Sequence, residues 1–164
     1  MIEITNTDRI TGTKSLVGLV AWVALCLFVG LLASLSQPGD WYDGLSKPSW
    51  TPPGSVFGPV WAVLYIMAGV AAWLVWKRGG ADALWPLVLF GVQLVFNAAW
   101  MWLFFDLHLP AIAMLDMVLL WVAVAATIVV FDGWSRAAAI LLLPYLIFVS
   151  FAALLNFSLW RLNV

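Results

Sequence analysis

The side chains best equipped to recognise another molecule in this sequence are indoles, phenols and amides rather than acids, bases or nucleophiles. Three tryptophans (Trp41, Trp50, Trp61) and Tyr42 fall within WYDGLSKPSWTPPGSVFGPVW at residues 41–61, together with Pro48, Pro52, Pro53 and Pro59. Further along, Gln93 and Asn97 stand four apart, one face of a helix that continues one turn later to Trp100 or Met101. Rings of this kind hold a flat, mostly apolar guest by stacking and burial, and an amide beside them orients its polar edge. The prolines make the first stretch stiff, since each fixes its own φ and biases the preceding residue toward extended backbone. A preorganised loop loses less entropy when something binds beneath it. Interfacial anchoring accounts for Trp41 on its own, but it leaves KPSWTPP unexplained, so the stretch is read as a structured lid.

Other chemistries lack residues to run on. His108 has no companion at ligand spacing and no His/Cys/Asp/Glu cluster stands anywhere, so no metal site is expected. There is no serine elbow, glycine-rich phosphate loop or nucleophile and base pair, so no catalytic residue is assigned. Cys26, the single cysteine, allows neither an intrachain disulfide nor a thiolate cluster. A net charge of −1 without a clustered basic face excludes nucleic acid as a partner.

The elements that must position these groups are membrane helices. The chain of 164 residues is 65% hydrophobic and 9% charged, against about 25% charged in soluble domains. Five apolar runs, about 16–35, 57–76, 84–105, 111–131 and 137–160, are each near the 20 residues that cross a hydrocarbon core as a helix. The fold class is therefore all-α, one membrane domain of five transmembrane helices. Residues 1–15 form a polar tail before a retained first helix, and the Trp/Pro-rich lid fills 36–56 between helices one and two. The other connections are short, so consecutive helices are antiparallel neighbours. Basic residues set the orientation: Arg9, Lys14, Lys77, Arg78 and Arg136 share one face, Lys47 and Arg161 the other. That predicts a cytoplasmic N-terminus in a bacterial inner membrane, with the lid outside. Pro86 and Pro110 sit near helix starts, whereas Pro144 lies inside helix five and is expected to kink it.

Polar residues within these spans face the bundle interior. Gln93 and Asn97 serve either as interhelical hydrogen-bond partners or as amides presented to a ligand. Asp116 has no intramembrane basic partner and lies near the start of helix four, where the dipole favours negative charge; it is read as structural.

WYDGLSKPSWTPP, GPVWAVLY, QLVFNAAWMWLFF, the Asp116 of MLDMVLLW, PYLIF and ALLNFSLWRLN, in this order, resemble the tryptophan-rich sensory protein and translocator protein family, once called peripheral-type benzodiazepine receptors. The resemblance runs through all five helices. It implies a receptor or sensor, commonly a homodimer, that binds porphyrins such as protoporphyrin IX and benzodiazepine-site ligands such as isoquinoline carboxamides, with no covalent cofactor. The family pocket opens beneath the first loop. Its implied lining here is Tyr42 and Pro52 from the lid, Trp61, Asn97 and Trp100, and Phe148, Ala152 and Leu155 from helix five; Trp50 of the lid completes the candidate set. Phe157 stands where the family's sterol pattern has tyrosine, which lowers the case for cholesterol although Arg161 remains. Phe148 stands where many members carry tryptophan after PYL. The alternatives are light- and oxygen-dependent porphyrin degradation, with Trp61 as the reacting indole, and transport of porphyrin or another lipophile. Gly69, Ala71 and Ala72 on helix two and Gly91 and Ala98 on helix three allow close helix approach, within a monomer or across a dimer.

Overall fold

The computed structural model describes residues 12–164; residues 1–11, including Arg9 and most of the polar tail, lie outside the described residues. Five long helices and one short one account for most of the rest: α1 (Gly12–Ala33), α2 (Asp40–Asp43), α3 (Gly54–Gly79), α4 (Leu84–Met101), α5 (Pro110–Trp134) and α6 (Arg136–Leu162). No strand occurs among the described residues. A 22-residue helix such as α1 is about 33 Å long, enough to cross a hydrocarbon core of about 30 Å. Large apolar side chains such as Leu16, Val20, Trp85, Val95, Val129 and Ile147 point outward on these helices. That is the surface a bilayer solvates, and the chain is an integral membrane protein.

Helical backbone runs unbroken from Gly54 to Asp106, 53 residues, which as one rod would measure about 80 Å. It turns back instead. A 3₁₀ turn at Gly80–Ala83 joins α3 to α4, and Gly80 adopts φ 50°, a left-handed conformation that glycine enters without a Cβ penalty. Tyr65 on α3 and Asn97 on α4 lie on either side of this turn and are hydrogen-bonded, so the two helices run antiparallel. At the other connection, Ser135 alone separates α5 from α6; it is extended, and its hydroxyl accepts from the Ala138 N–H at the start of α6.

The helices close a ring in which α1 packs chiefly on α3, α3 on α6, α6 on α5, α5 on α4, and α4 back on α1. Close approach of α1 and α3 depends on glycine. A Cβ on Gly69 would lie 2.6 Å from the Val23 Cα, and one on Gly30 would collide with the Tyr65 ring. Gly69 is thus used inside the monomer, whereas Gly91 on α4 has open space around it. Toward the end away from the lid, Phe90 stacks on Phe131 (5.8 Å, 19°) and receives the edge of Trp22 (6.2 Å). A second apolar cluster, Phe104, Ala113, Leu155 and Leu159, sits at the lid end with Trp41 and Tyr42 against it.

Four of the five long helices are longer than the apolar runs that announce them, whereas α4 stops at Met101 and gives way to a π-helical turn. Residues 12–15 of the expected tail are already helical, and α3 begins at Gly54 and ends at Gly79 rather than spanning 57–76. The added ends are Gly54, Ser55 and Val56, then Lys77, Arg78 and Gly79; at the second end the long basic side chains reach water while the backbone continues. Lys77 lies over the Trp73 ring at 5.0 Å. The lid region itself contains the single turn α2, and α4 ends in a π-helical turn at Trp102–Asp106. Helix α6 runs through Pro144 as one element.

Candidate functional site

The connection between α1 and α3 is fastened at several points. The Ser36 hydroxyl donates to Asp106 Oδ2 (2.5 Å). Trp41 stacks on His108 (4.2 Å, 19°) and meets Phe104 edge-on. Tyr42 meets Phe105 (5.4 Å) and Phe104, and the Lys47 ammonium lies 4.7 Å over its ring while also donating to the Asp43 carbonyl. Thr51 closes a turn by donating twice to the Pro48 carbonyl, through its N–H at 3.0 Å and its hydroxyl at 2.8 Å. At the C-terminal end of α6, the Ser46 N–H donates to Asn163 Oδ1 and Asn163 Nδ2 donates back to the Ser46 carbonyl. The stiff backbone predicted from the prolines is therefore also tied down by side chains.

Beneath it lies a cavity of about 700 Å³, within the 300–1,000 Å³ range typical of small-molecule sites. Tyr42 of the lid borders it above. Phe57, Trp61 and Tyr65 enter from α3, Asn97, Trp100 and Met101 from α4 with Phe104 and Phe105 from its π turn, Ala152, Leu155 and Asn156 from α6, and Leu27, Gly30 and Leu31 from α1. None of the lining residues carries a charge. The site is thus an aromatic and aliphatic chamber whose polar groups are mainly amides and phenols, suited to a flat, largely apolar guest.

Its aromatic wall is built by helical spacing. Trp61 and Tyr65, four apart on α3, have ring centres 5.6 Å apart; Trp61 also meets Phe148 (5.3 Å, 88°) and Tyr145 (5.9 Å, 74°) on α6. Trp100 and Phe104, four apart, stack at 5.4 Å. Polar atoms are locked. The Trp100 indole N–H donates to Asn156 Oδ1 (2.9 Å), and Asn156 Nδ2 donates to the Pro110 carbonyl (3.0 Å), so one amide ties α4, α5 and α6 together. The Tyr65 hydroxyl donates to Asn97 Oδ1, and one turn deeper the Tyr145 hydroxyl donates to Gln93 Oε1 (2.7 Å). In the lid, burial and then the neighbouring Asp43 charge push the Tyr42 hydroxyl pKa up, so it stays protonated at neutral pH.

Of the residues singled out from sequence, Tyr42, Trp61, Asn97, Trp100, Ala152 and Leu155 converge on the cavity. Three do not line it. Trp50 is exposed and sets its edge on Phe151 (5.8 Å). Pro52 lies in the lid backbone just before α3, and Phe148 stands behind Trp61 and Phe57. Tyr65, Phe104, Phe105 and Asn156 were not in that set; Tyr65 follows Trp61 and Phe104 follows Trp100 at the four-residue spacing that could have found them. Asp116 is buried away from the cavity with Oδ2 unpartnered, and no group of residues among those described could hold a metal.

Residues 22–161 match the model of the TspO/MBR family. The chain is 40% identical over 157 residues to the tryptophan-rich protein TspO of Chlorobaculum tepidum, covering 92% of this chain and 98% of that one. It is 42% identical over 143 residues to the human translocator protein, with 85% of each covered. To the tryptophan-rich sensory protein of Cereibacter sphaeroides it is 35% identical over 144 residues, covering 88% and 90%. With five membrane helices, an aromatic lid and matches extending over nearly the whole length, this chain belongs to the TspO/MBR family.

Proposed function

We propose that this membrane receptor or sensor takes flat porphyrins, protoporphyrin IX or related tetrapyrroles, and benzodiazepine-site ligands into the cavity beneath its lid. The observation that carries the reading is the uncharged chamber of about 700 Å³ in which Trp61, Trp100 and Tyr42 present rings and Asn97 presents an amide. Burial of the tetrapyrrole faces supplies the affinity and the amide orients an edge. The ligand is held without a covalent link. The bilayer is the second partner, and the excess of basic residues at the ends away from the lid supports a cytoplasmic N-terminus in a bacterial inner membrane. Open space around Gly91 supports a homodimer through α4, since Gly69 is already used within the monomer.

The test is a dark titration of the protein in lipid nanodiscs with protoporphyrin IX, following tryptophan fluorescence corrected for inner-filter absorption, beside Trp61→Phe and a competing isoquinoline carboxamide. Saturable quenching that both the substitution and the competitor weaken is expected. Linear, non-competitive quenching would show partition into lipid and overturn the reading.

A further inference from the structure

We infer that a groove between the end of α5 and the start of α6 binds a phospholipid whose headgroup carries both a phosphate and a primary ammonium, a phosphatidylethanolamine, with the ammonium on Asp132 and the phosphate on Arg136. The inference is independent of the cavity beneath the lid. The groove, of about 360 Å³, is lined by Asp132 and Arg136 together with Ile128, Val129, Ile140 and Leu143. Its two charged residues flank the connection at Ser135, where the membrane spans end. Its apolar residues lie one to two turns deeper, and Val129, Ile140 and Leu143 are exposed on the surface that a bilayer covers. A charged end at headgroup depth above an apolar channel is the outline of a lipid.

The two charges are left for a guest by the break between the helices. Asp132 and Arg136 stand four apart, the spacing at which an uninterrupted helix pairs opposite charges. Here Ser135 is extended (φ −156°, ψ 106°) and α6 starts afresh at Arg136. Both side chains are exposed, and neither forms an ion pair or a side-chain hydrogen bond among the described residues. Arg78 also reaches this connection, but it donates to the Trp134 carbonyl. The groove therefore offers one anion and one cation, and a headgroup bearing both signs is its complement. The guanidinium fork suits phosphate oxygens, and a primary ammonium donates charge-assisted hydrogen bonds to the carboxylate. A choline headgroup has no N–H to donate, and a phosphatidylglycerol brings negative charge to Asp132 with no cation to answer it.

The test is a titration of the full chain in detergent with phosphatidylethanolamine, phosphatidylcholine and phosphatidylglycerol of the same acyl chains, bound lipid being counted by native mass spectrometry. Wild-type protein is expected to hold the ethanolamine lipid about threefold more tightly than either of the others, the range of one exposed ion pair. Asp132→Asn should erase the preference over the choline lipid and raise affinity for the glycerol lipid, whereas Arg136→Gln should weaken all three. Both residues are exposed and lie outside the cavity, so both variants should keep the wild-type melting temperature. Equal affinity for the three lipids overturns the assignment, as does a wild-type preference for phosphatidylglycerol or an ethanolamine preference that survives Asp132→Asn. A change of oligomeric state in both variants with unchanged lipid ratios would give the groove to a second copy of the chain and overturn it equally.

Discussion

Ser46 and Asn163, 117 positions apart, exchange two hydrogen bonds, Ser46 N–H to Asn163 Oδ1 at 2.9 Å and Asn163 Nδ2 to the Ser46 carbonyl at 3.0 Å. A side-chain amide that pairs with one backbone unit in this way works as a clasp between the lid and the end of α6. Asn163→Ala is expected to release it. At about 0.5–1.5 kcal/mol per bond, and less at an exposed site, the net loss is about 1 kcal/mol, or roughly fivefold faster opening. Hydrogen exchange at residues 41–51 should speed up by that factor while exchange in α5 is unchanged.

The Tyr65–Asn97 pair predicts a compensating double substitution. Asn97→Leu leaves the Tyr65 hydroxyl buried without an acceptor and should destabilise the protein by about 1–3 kcal/mol. Adding Tyr65→Phe removes the stranded hydroxyl and should recover at least half of that loss. Thermal unfolding in detergent of the two single variants and the double measures the coupling, and simple additivity would mean the pair is not coupled.

Gly30 faces the Tyr65 ring so closely that no Cβ fits. Gly30→Ala should therefore push the ring into the cavity, cost about 1–3 kcal/mol as other overpacked substitutions do, and weaken porphyrin binding. Gly91→Ala, with open space around it, should leave both properties within error. Melting temperature and a porphyrin titration on the same samples separate the two outcomes.

Burial, followed by the Asp43 charge, raises the Tyr42 pKa above its ordinary value near 10. Because the folded-state value is the higher one, the folded protein holds this proton more tightly than the unfolded chain does. The contribution to stability is complete below the unfolded pKa and is lost only as pH rises through the folded one. Lid docking through Tyr42 should thus be flat across neutral pH and weaken above about pH 10. Phenolate absorbance should report the transition, and Tyr42→Phe should remove that step.

How much of this was legible in the sequence follows from which forces write themselves into single residues. Trp61, Asn97 and Trp100 could be placed because polar and indole groups within a span have few tolerable environments, and the four-residue spacing gives their face. Tyr65 is not legible in the same way, because one aromatic residue in an apolar helix looks like any other core residue; its place depends on Gly30, a partner 35 positions away on α1. Trp50 lies outside the cavity lining for the converse reason. Its loop is rigid, but the direction in which a rigid loop points its rings is set by contacts such as that with Phe151, which no local pattern encodes. Helix ends shifted where hydropathy and backbone hydrogen bonding part company, as at Gly54–Ser55 and Lys77–Arg78.

The asymmetry of the chamber wall has a mechanical consequence. Helices α4, α5 and α6 are bolted together by the Trp100–Asn156–Pro110 chain. Helix α1 is pinned near its two ends, by the Trp73 indole N–H on the Ser15 carbonyl and just beyond its last turn by Ser36 on Asp106, and between them it meets α3 through glycine contacts. A wall fastened by hydrogen bonds between α4, α5 and α6 and by van der Waals contact along most of α1 is expected to adjust to its contents by displacing α1 before the other three.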